Sequence, residues 1–181
     1  VLDKPPDKIG VELVPHRSEW ALLASQETQR LKTALGAALL RVEHIGSTSI
    51  PAIMAKPIVD LIPIFTDLPA LDACEDNIRA LGYRWHGEFG IPTRRYCTLI
   101  DAATGRRVFQ LHCYAQTSPQ IARHLAFRDY LRAHPDIAKE YEAEKLRAAA
   151  LHPDNTLDYN DAKNDWIKRV EKDALEWMKK R

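Results

Sequence analysis

Cysteine is scarce in this 181-residue chain: three thiols, Cys74, Cys97 and Cys113, with no CxxC spacing. Three cysteines cannot all pair with one another, so a disulfide framework is excluded, a structural zinc is argued against, and reduced thiols in the cytoplasm are the simplest reading. Apolar runs are short, far below the ~20 residues that cross a bilayer. The start, Val1 to Gly10, is charged and proline-containing, without the apolar centre of a signal peptide. An excess of one charge is missing as well. Lys and Arg number 26 against 25 Asp and Glu, a net +1, which speaks against nucleic acid or an anionic membrane meeting the whole surface but leaves room for a local basic patch. The sequence contains no GxxxxGK[ST] phosphate loop, no GxGxxG fingerprint and no GxSxG elbow, and Cys97 and Cys113 stand in no recognised nucleophile setting. Repeats, low-complexity tracts and Gly/Ser linkers are absent too.

What is present suits one core. Hydrophobic residues make up 45% and charged residues 28%, ordinary for a globular chain, and the length favours a single domain over 1–181. After an extended Val11 to Pro15, Ser18 can cap a helix through Trp20, Leu23, Leu31 and Leu35, ended by Gly36. Leu40 to Ile45 reads as a short strand, and Pro57 to Phe65 is too short and too β-branched for a helix, so it reads as a buried strand. The spacing predicts a helix over Leu68 to Leu81, closed by Gly82. Arg84 to His86, Arg94 to Ile100 and Arg107 to Tyr114 are further strands, the last two joined by a hairpin-like turn at Asp101 to Gly105. Ser118-Pro119 is a strong helix start; His134-Pro135 interrupts, and helices follow over about Asp136 to Leu151 and about Thr156 to Met178. The mixed charges of this last stretch read as a solvated face, with Trp166, Val170 and Trp177 on its apolar side. The sum is an α/β (α+β) chain, a small mixed sheet flanked by helices with a helical C-terminal third.

The chemistry concentrates between two strands. Gly46-Ser47 follows one strand, and Asp60 lies inside the next. Successive N–H groups of a Gly-Ser turn can form an anion-binding concavity, and a carboxylate on the adjacent strand can hold a Mg²⁺ that bridges phosphate oxygens. Gly-Ser alone is a weak signal, most such pairs being plain turns. Asp60 between Val59 and Leu61 says more, because a buried carboxylate must be paired, metal-bound or at an open edge. A structural hydrogen-bonding role and a functional one both satisfy that demand.

The blocks Val42 to Pro51 (VEHIGSTSIP), Ala55 to Asp60 (AKPIVD), Gly87 to Tyr96, Gln110-Leu111-His112, His124 to Arg132 and Tyr159 to Lys163 together resemble the GrpB family (UPF0157 type) of the nucleotidyltransferase superfamily. The resemblance implies a nucleotidyltransferase-like core with the Gly-Ser turn and Asp60 at its active edge, a nucleotide or other phosphorylated small molecule as ligand, and nucleotidyl transfer as a possible activity with Asp60 as the catalytic, metal-holding residue. One departure stands out. The wider superfamily carries a second acidic residue two positions on, where this chain has Ile62, and isoleucine cannot ligate a metal. His112, with Glu43 or His44 just before the Gly-Ser turn, can supply the missing ligand; a site of Asp60, His112 and one of these is mixed N/O, better suited to Mn²⁺, Zn²⁺ or Fe²⁺ than to an all-oxygen Mg²⁺ shell. A plain Asp60–His112 hydrogen bond is the alternative. Glu43 and His44 point to opposite faces of a regular strand. Lys56, Arg94, Arg95, Arg128 and Lys163 are the cationic candidates for phosphate, with only one of Arg94 and Arg95 entering a cleft because neighbours on a strand alternate. The rival to a nucleotide-binding protein is a non-catalytic folding or interaction module with a protein partner, of the kind fused to dephospho-CoA kinase.

Overall fold

A computed structural model describes residues 10–181; the charged start, residues 1–9, lies outside the described residues. Five strands form one mixed sheet in the order β1-β2-β5-β4-β3. The strands are β1 (Leu39–Ile45), β2 (Val59–Phe65), β3 (Arg84–Trp85), β4 (Arg95–Ile100) and β5 (Arg107–Ala115), and the helices are α1 (Glu19–Leu35), α2 (Leu68–Asp72), α3 (Glu75–Ala80), α4 (Pro119–Ala133), α5 (Pro135–Leu151) and α6 (Thr156–Lys179). β2 runs parallel to β5 and antiparallel to β1; β4 is antiparallel to both β5 and β3. This is the α+β arrangement that the residue pattern implies, a small mixed sheet flanked by helices with a helical C-terminal third.

Strand alternation divides the sheet into two faces. Val59, Leu61, Phe65, Leu111, Cys113 and Cys97 pack beneath α1, α2 and α3 in an apolar layer with Trp20, Leu31, Leu35, Leu71 and Ile78. The opposite face carries Ile45, Ile62, Ile64 and Tyr114 at one end, packed on Ile121 of α4, and polar side chains at the other. A third cluster joins Ile50 and Ile53 of the β1–β2 connection to Leu131, Ala138, Tyr141 and Val170. It fixes the three C-terminal helices over the polar end of the sheet.

The expected helix over Leu68 to Leu81 is two short ones. The Cys74 N–H bonds back only three residues, to the Leu71 carbonyl at 3.0 Å, which tightens the chain into a turn before it re-enters a helix. Ser18 occupies the N-cap of α1 but makes no side-chain cap bond, whereas Ser118 accepts from Gln120 N–H and Asn155 from Leu157 and Asp158 N–H as N-caps should. Val11 to Pro15 runs as a strap, held by an isolated bridge between Val14 and Ala55 and by Val11 N–H donating to the Pro153 carbonyl at 2.7 Å.

Candidate functional site

A cleft of about 370 Å³ opens between the polar end of the sheet and the helices α4–α6. Its floor is set by register. Ile45 stands opposite Asp60, Asp60 opposite Gln110, and His112 opposite Tyr96, so Asp60, Gln110, His112 and Tyr96 share one face. His112 Nε2 lies 3.3 Å from Asp60 Oδ1. The Gln110 amide is oriented by its neighbours: its nitrogen donates to Asp60 Oδ1 at 3.0 Å and to the Tyr96 hydroxyl at 3.2 Å, and its oxygen accepts from Arg107 at 3.1 Å. The other Asp60 oxygen lies against Gly46, whose φ is +69°; a Cβ there would come within 2.6 Å of Oδ2. Glycine is required both by the left-handed backbone and by that approach. Ser49 seals the turn, its hydroxyl donating to the Gly46 carbonyl at 2.7 Å.

The helical wall supplies cations. Lys145 of α5 and Lys163 of α6 are 1% and 6% exposed. The Lys145 ammonium donates to the Met54 carbonyl and lies 4.7 Å from the Tyr141 ring centre; Lys163 sits over the Tyr159 ring at 3.9 Å, and Lys56, from the β1–β2 connection, reaches the same ring at 5.1 Å. No lysine among the described residues forms an ion pair within 4.0 Å. Burial lowers the Lys145 amine to about 7, with Glu142 opposing. Burial and the neighbouring charges of Lys56 and Lys145 bring Lys163 to about 7 as well, and burial lowers Lys56, with Asp60 opposing. Of the carboxylates lining the cleft, Glu171 is held by Arg123, which leaves Asp60 to face the lysines. Burial pushes the Tyr96 hydroxyl up to about 12 and holds the His124 imidazole well below its usual range, neutral at the cleft wall.

Of the residues singled out in the sequence, Gly46, Ser47, Lys56, Asp60, His112 and Lys163 meet in this cleft. Four do not. Arg95 points to the α1–α3 side and is clamped by Asp72, with nitrogen–oxygen distances of 2.6 and 2.9 Å. Arg94 precedes β4 and turns its guanidinium back to the Glu88 and Phe89 carbonyls, at 3.2 and 2.6 Å, where it ties down a loop. The cleft thus receives neither arginine of the pair; Arg107 and Arg123 line it instead. Arg128 is spent on Glu43 at 3.0 Å, Asp129 at 2.7 Å and the His44 carbonyl at 3.1 Å. Glu43 shares the Asp60 face but is held by Arg128 and Arg41. His44 pairs in register with Leu61 and so lies on the opposite face, its Nε2 2.9 Å from the Thr48 hydroxyl and its pKa lowered to about 4 by burial.

The donor set therefore does not fit a resident divalent cation. Ile62, in the place of a second carboxylate, is 0% exposed within the isoleucine cluster. Asp60 Oδ1 already accepts from His112 and Gln110, and the charges of Lys56 and Lys163 act on the same carboxylate. Among the described residues no three His, Cys, Asp or Glu side chains gather closely enough to hold a metal. Lys145, Gln110 and Arg107 escaped the sequence reading. Lys145 had a signal: with Ala138, Tyr141 and Ala148 it lies on the buried stripe of α5, a lysine at a core position.

Residues 10–173 match the family model described as GrpB protein. The chain is 42% identical over 174 residues to the UPF0157 protein YqkA of Bacillus subtilis, covering 96% of this chain and 50% of that one, so it spans about half the length of that relative. It is 29% identical to a dephospho-CoA kinase of Mycolicibacterium paratuberculosis, covering 92% of this chain and 46% of the kinase. The fold matches the crystal structure of GrpB from Enterococcus faecalis with a TM-score of 0.85 at 37% identity, over 92% of this chain and 99% of that one. No helix among the described residues is long and apolar enough to cross a membrane.

Proposed function

The chain belongs to the GrpB family, and on that premise we propose that it binds a nucleotide or another phosphorylated small molecule in the lysine-lined cleft. The carrying observation is the convergence of Lys56, Lys145 and Lys163 on a cleft lined by two carboxylates, Asp60 and an Arg123-bound Glu171, with Glu142 acting on Lys145 from outside that lining. Burying three amines side by side opposes folding unless something anionic repays it, and a phosphoryl group supplies several acceptor oxygens at once. The Gly46-Ser47 turn borders the same space and serves as its backbone wall. Asp60 acts as the acceptor that organises His112 and Gln110 on the floor. Nucleotidyl transfer through a carboxylate-held pair of metals has no ligand set here, so the reading extends to binding, in the cytoplasm, in keeping with three buried, unpaired thiols.

The test is a thermal-shift screen of nucleotides and polyphosphates, each with and without Mg²⁺, Mn²⁺ and Zn²⁺, because a ligand of the folded state raises the midpoint by mass action. The expected result is a rise with phosphorylated ligands that Lys163→Met removes. No shift with any combination, confirmed by calorimetry, would overturn it. A second reading, the non-catalytic partner module, is favoured by one observation: the match to the dephospho-CoA kinase occupies 46% of that protein. A stable protein partner whose cross-links cover Gly46 and Ser47 would favour it over ligand binding.

A further inference from the structure

A second cleft, of about 460 Å³, lies beside the first. Lys56, Ile58, Arg107 and Thr156 line both, so the two share a wall. Each is of a size that takes a small molecule, but their chemistry differs. The first gathers amines. The second is walled by Val11, Pro57, Ile58, Ile100 and Pro153, and Arg106 and Glu12 at its rim neutralise each other at 3.1 Å. Its remaining charge comes from the shared wall, Lys56 and Arg107.

Arg107 is incompletely satisfied there. One terminal nitrogen is engaged by the Gln110 oxygen at 3.1 Å and the Tyr96 hydroxyl at 3.4 Å, yet its buried Nε has no hydrogen-bond partner among the described residues. A buried guanidinium nitrogen without an acceptor is costly, and it sits where the cationic cleft meets the apolar one. Aliphatic and proline walls cannot hold an anion, but they pack well against an uncharged planar surface.

We infer that the ligand of the lysine cleft is a two-part molecule, a phosphate ester or anhydride whose anionic end lies among the lysines and whose uncharged, planar end passes the Lys56–Arg107 wall into the second cleft. The inference rests on the phosphate reading of the first cleft and adds a place for the other end, a nucleobase. Arg107 bridges the two parts, and the apolar walls supply selectivity that the lysines, as point charges, lack.

Calorimetry on the full chain tests it with tripolyphosphate, which has the anionic end alone, and with ATP, GTP, CTP and UTP. Ile100 lines the second cleft and not the first, so Ile100→Trp fills one and spares the other; Val11→Trp does the same from the strap and carries the test if the first variant fails to fold. At least one nucleotide should bind tenfold or more tighter than tripolyphosphate, and the tryptophan should cut that margin below threefold without changing tripolyphosphate affinity. Tripolyphosphate binding as tightly as every nucleotide would overturn the inference and leave the phosphate reading standing. So would a margin that survives both variants with their melting curves intact. Failure of tripolyphosphate and all four nucleotides to bind would remove the phosphate reading itself, and this inference with it.

Discussion

Leu61 and Asp60 are neighbours in β2 and live in different solvents. Leu61 points beneath α1–α3 into a layer built almost wholly from aliphatic, aromatic and thiol side chains. Asp60 points the other way, onto a floor shared with Gln110, His112 and Tyr96 and roofed by lysines. On the first face the apolar side chains are repaid by the burial of their own surface. On the second, polar groups are withdrawn from water and repaid incompletely: Arg107 Nε and His112 Nδ1 are buried without partners among the described residues, and the amines of Lys145 and Lys163 are buried without an ion pair within 4.0 Å. Stability is made on the first face and spent on the second, and substitutions that touch one face at a time separate the two.

The largest effect is expected from Leu61→Ala. Leu61 is 0% exposed at the centre of the apolar layer, and emptying such a site costs roughly 2–5 kcal/mol. Denaturant melts should show that loss, with ligand affinity per folded molecule unchanged; an equal fall in affinity would mean the faces are not separable. Asp60→Asn should cost less, roughly 1–3 kcal/mol, because Asp60 accepts from His112 and Gln110 and the amide returns one acceptor only. Removing the carboxylate that acts on Lys56 and Lys163 should leave phosphate affinity equal or higher. Unchanged stability together with the loss of a metal-dependent binding signal would instead restore Asp60 as a metal ligand.

The smallest effect on stability, and the sharpest on binding, is expected from Lys163→Met. Lys145 and Lys163 fall from an ordinary 10.5 to about 7 on folding. Between those values the unfolded chain holds more protons than the folded one, so stability rises with pH from about 7 to 10.5; below 7 both amines are charged and the full cost of burying them is present. Lys163→Met should flatten that rise in melts at pH 7 and pH 9 and weaken phosphate binding tenfold or more. An anion favours the charged amines, so binding to the unaltered protein should take up protons near pH 8, which calorimetry in buffers of different ionisation enthalpy reads directly. A variant that binds as the parent does would show that Lys163 is spent on Tyr159 alone.

The apolar face was the legible one. The β-branched run of β2 and the capped start of α4 announce themselves by period and by cap, and their ends shift by no more than two residues. Asp60 was legible because a carboxylate in such a run has to be explained, and its meeting with His112 followed from strand chemistry. What escaped depends on register and on helix docking. Glu43 has the parity to face the cleft, but Arg128, 85 residues away, reaches it. The choice between Arg94 and Arg95 assumed that both lie in the strand, whereas β4 begins at Arg95. The mixed charges of α6 read as a solvated face, and most are; Lys163 is the exception because Tyr159, one turn before it, lays a ring under the amine.

The parallel pairing of β2 with β5 has a consequence in time. Asp60 and His112 are 52 residues apart in the chain, so the cleft floor closes only after a loop that long has been brought together and its entropy lost. Helices such as α1 and α6 draw on local contacts and can form within about a microsecond; a non-local parallel pairing is intrinsically slow. A ligand arriving during folding meets lysines on two helices and a loop, and no floor. It finds its site only once the central strands have joined, and its grip is then felt as slower unfolding, not faster folding.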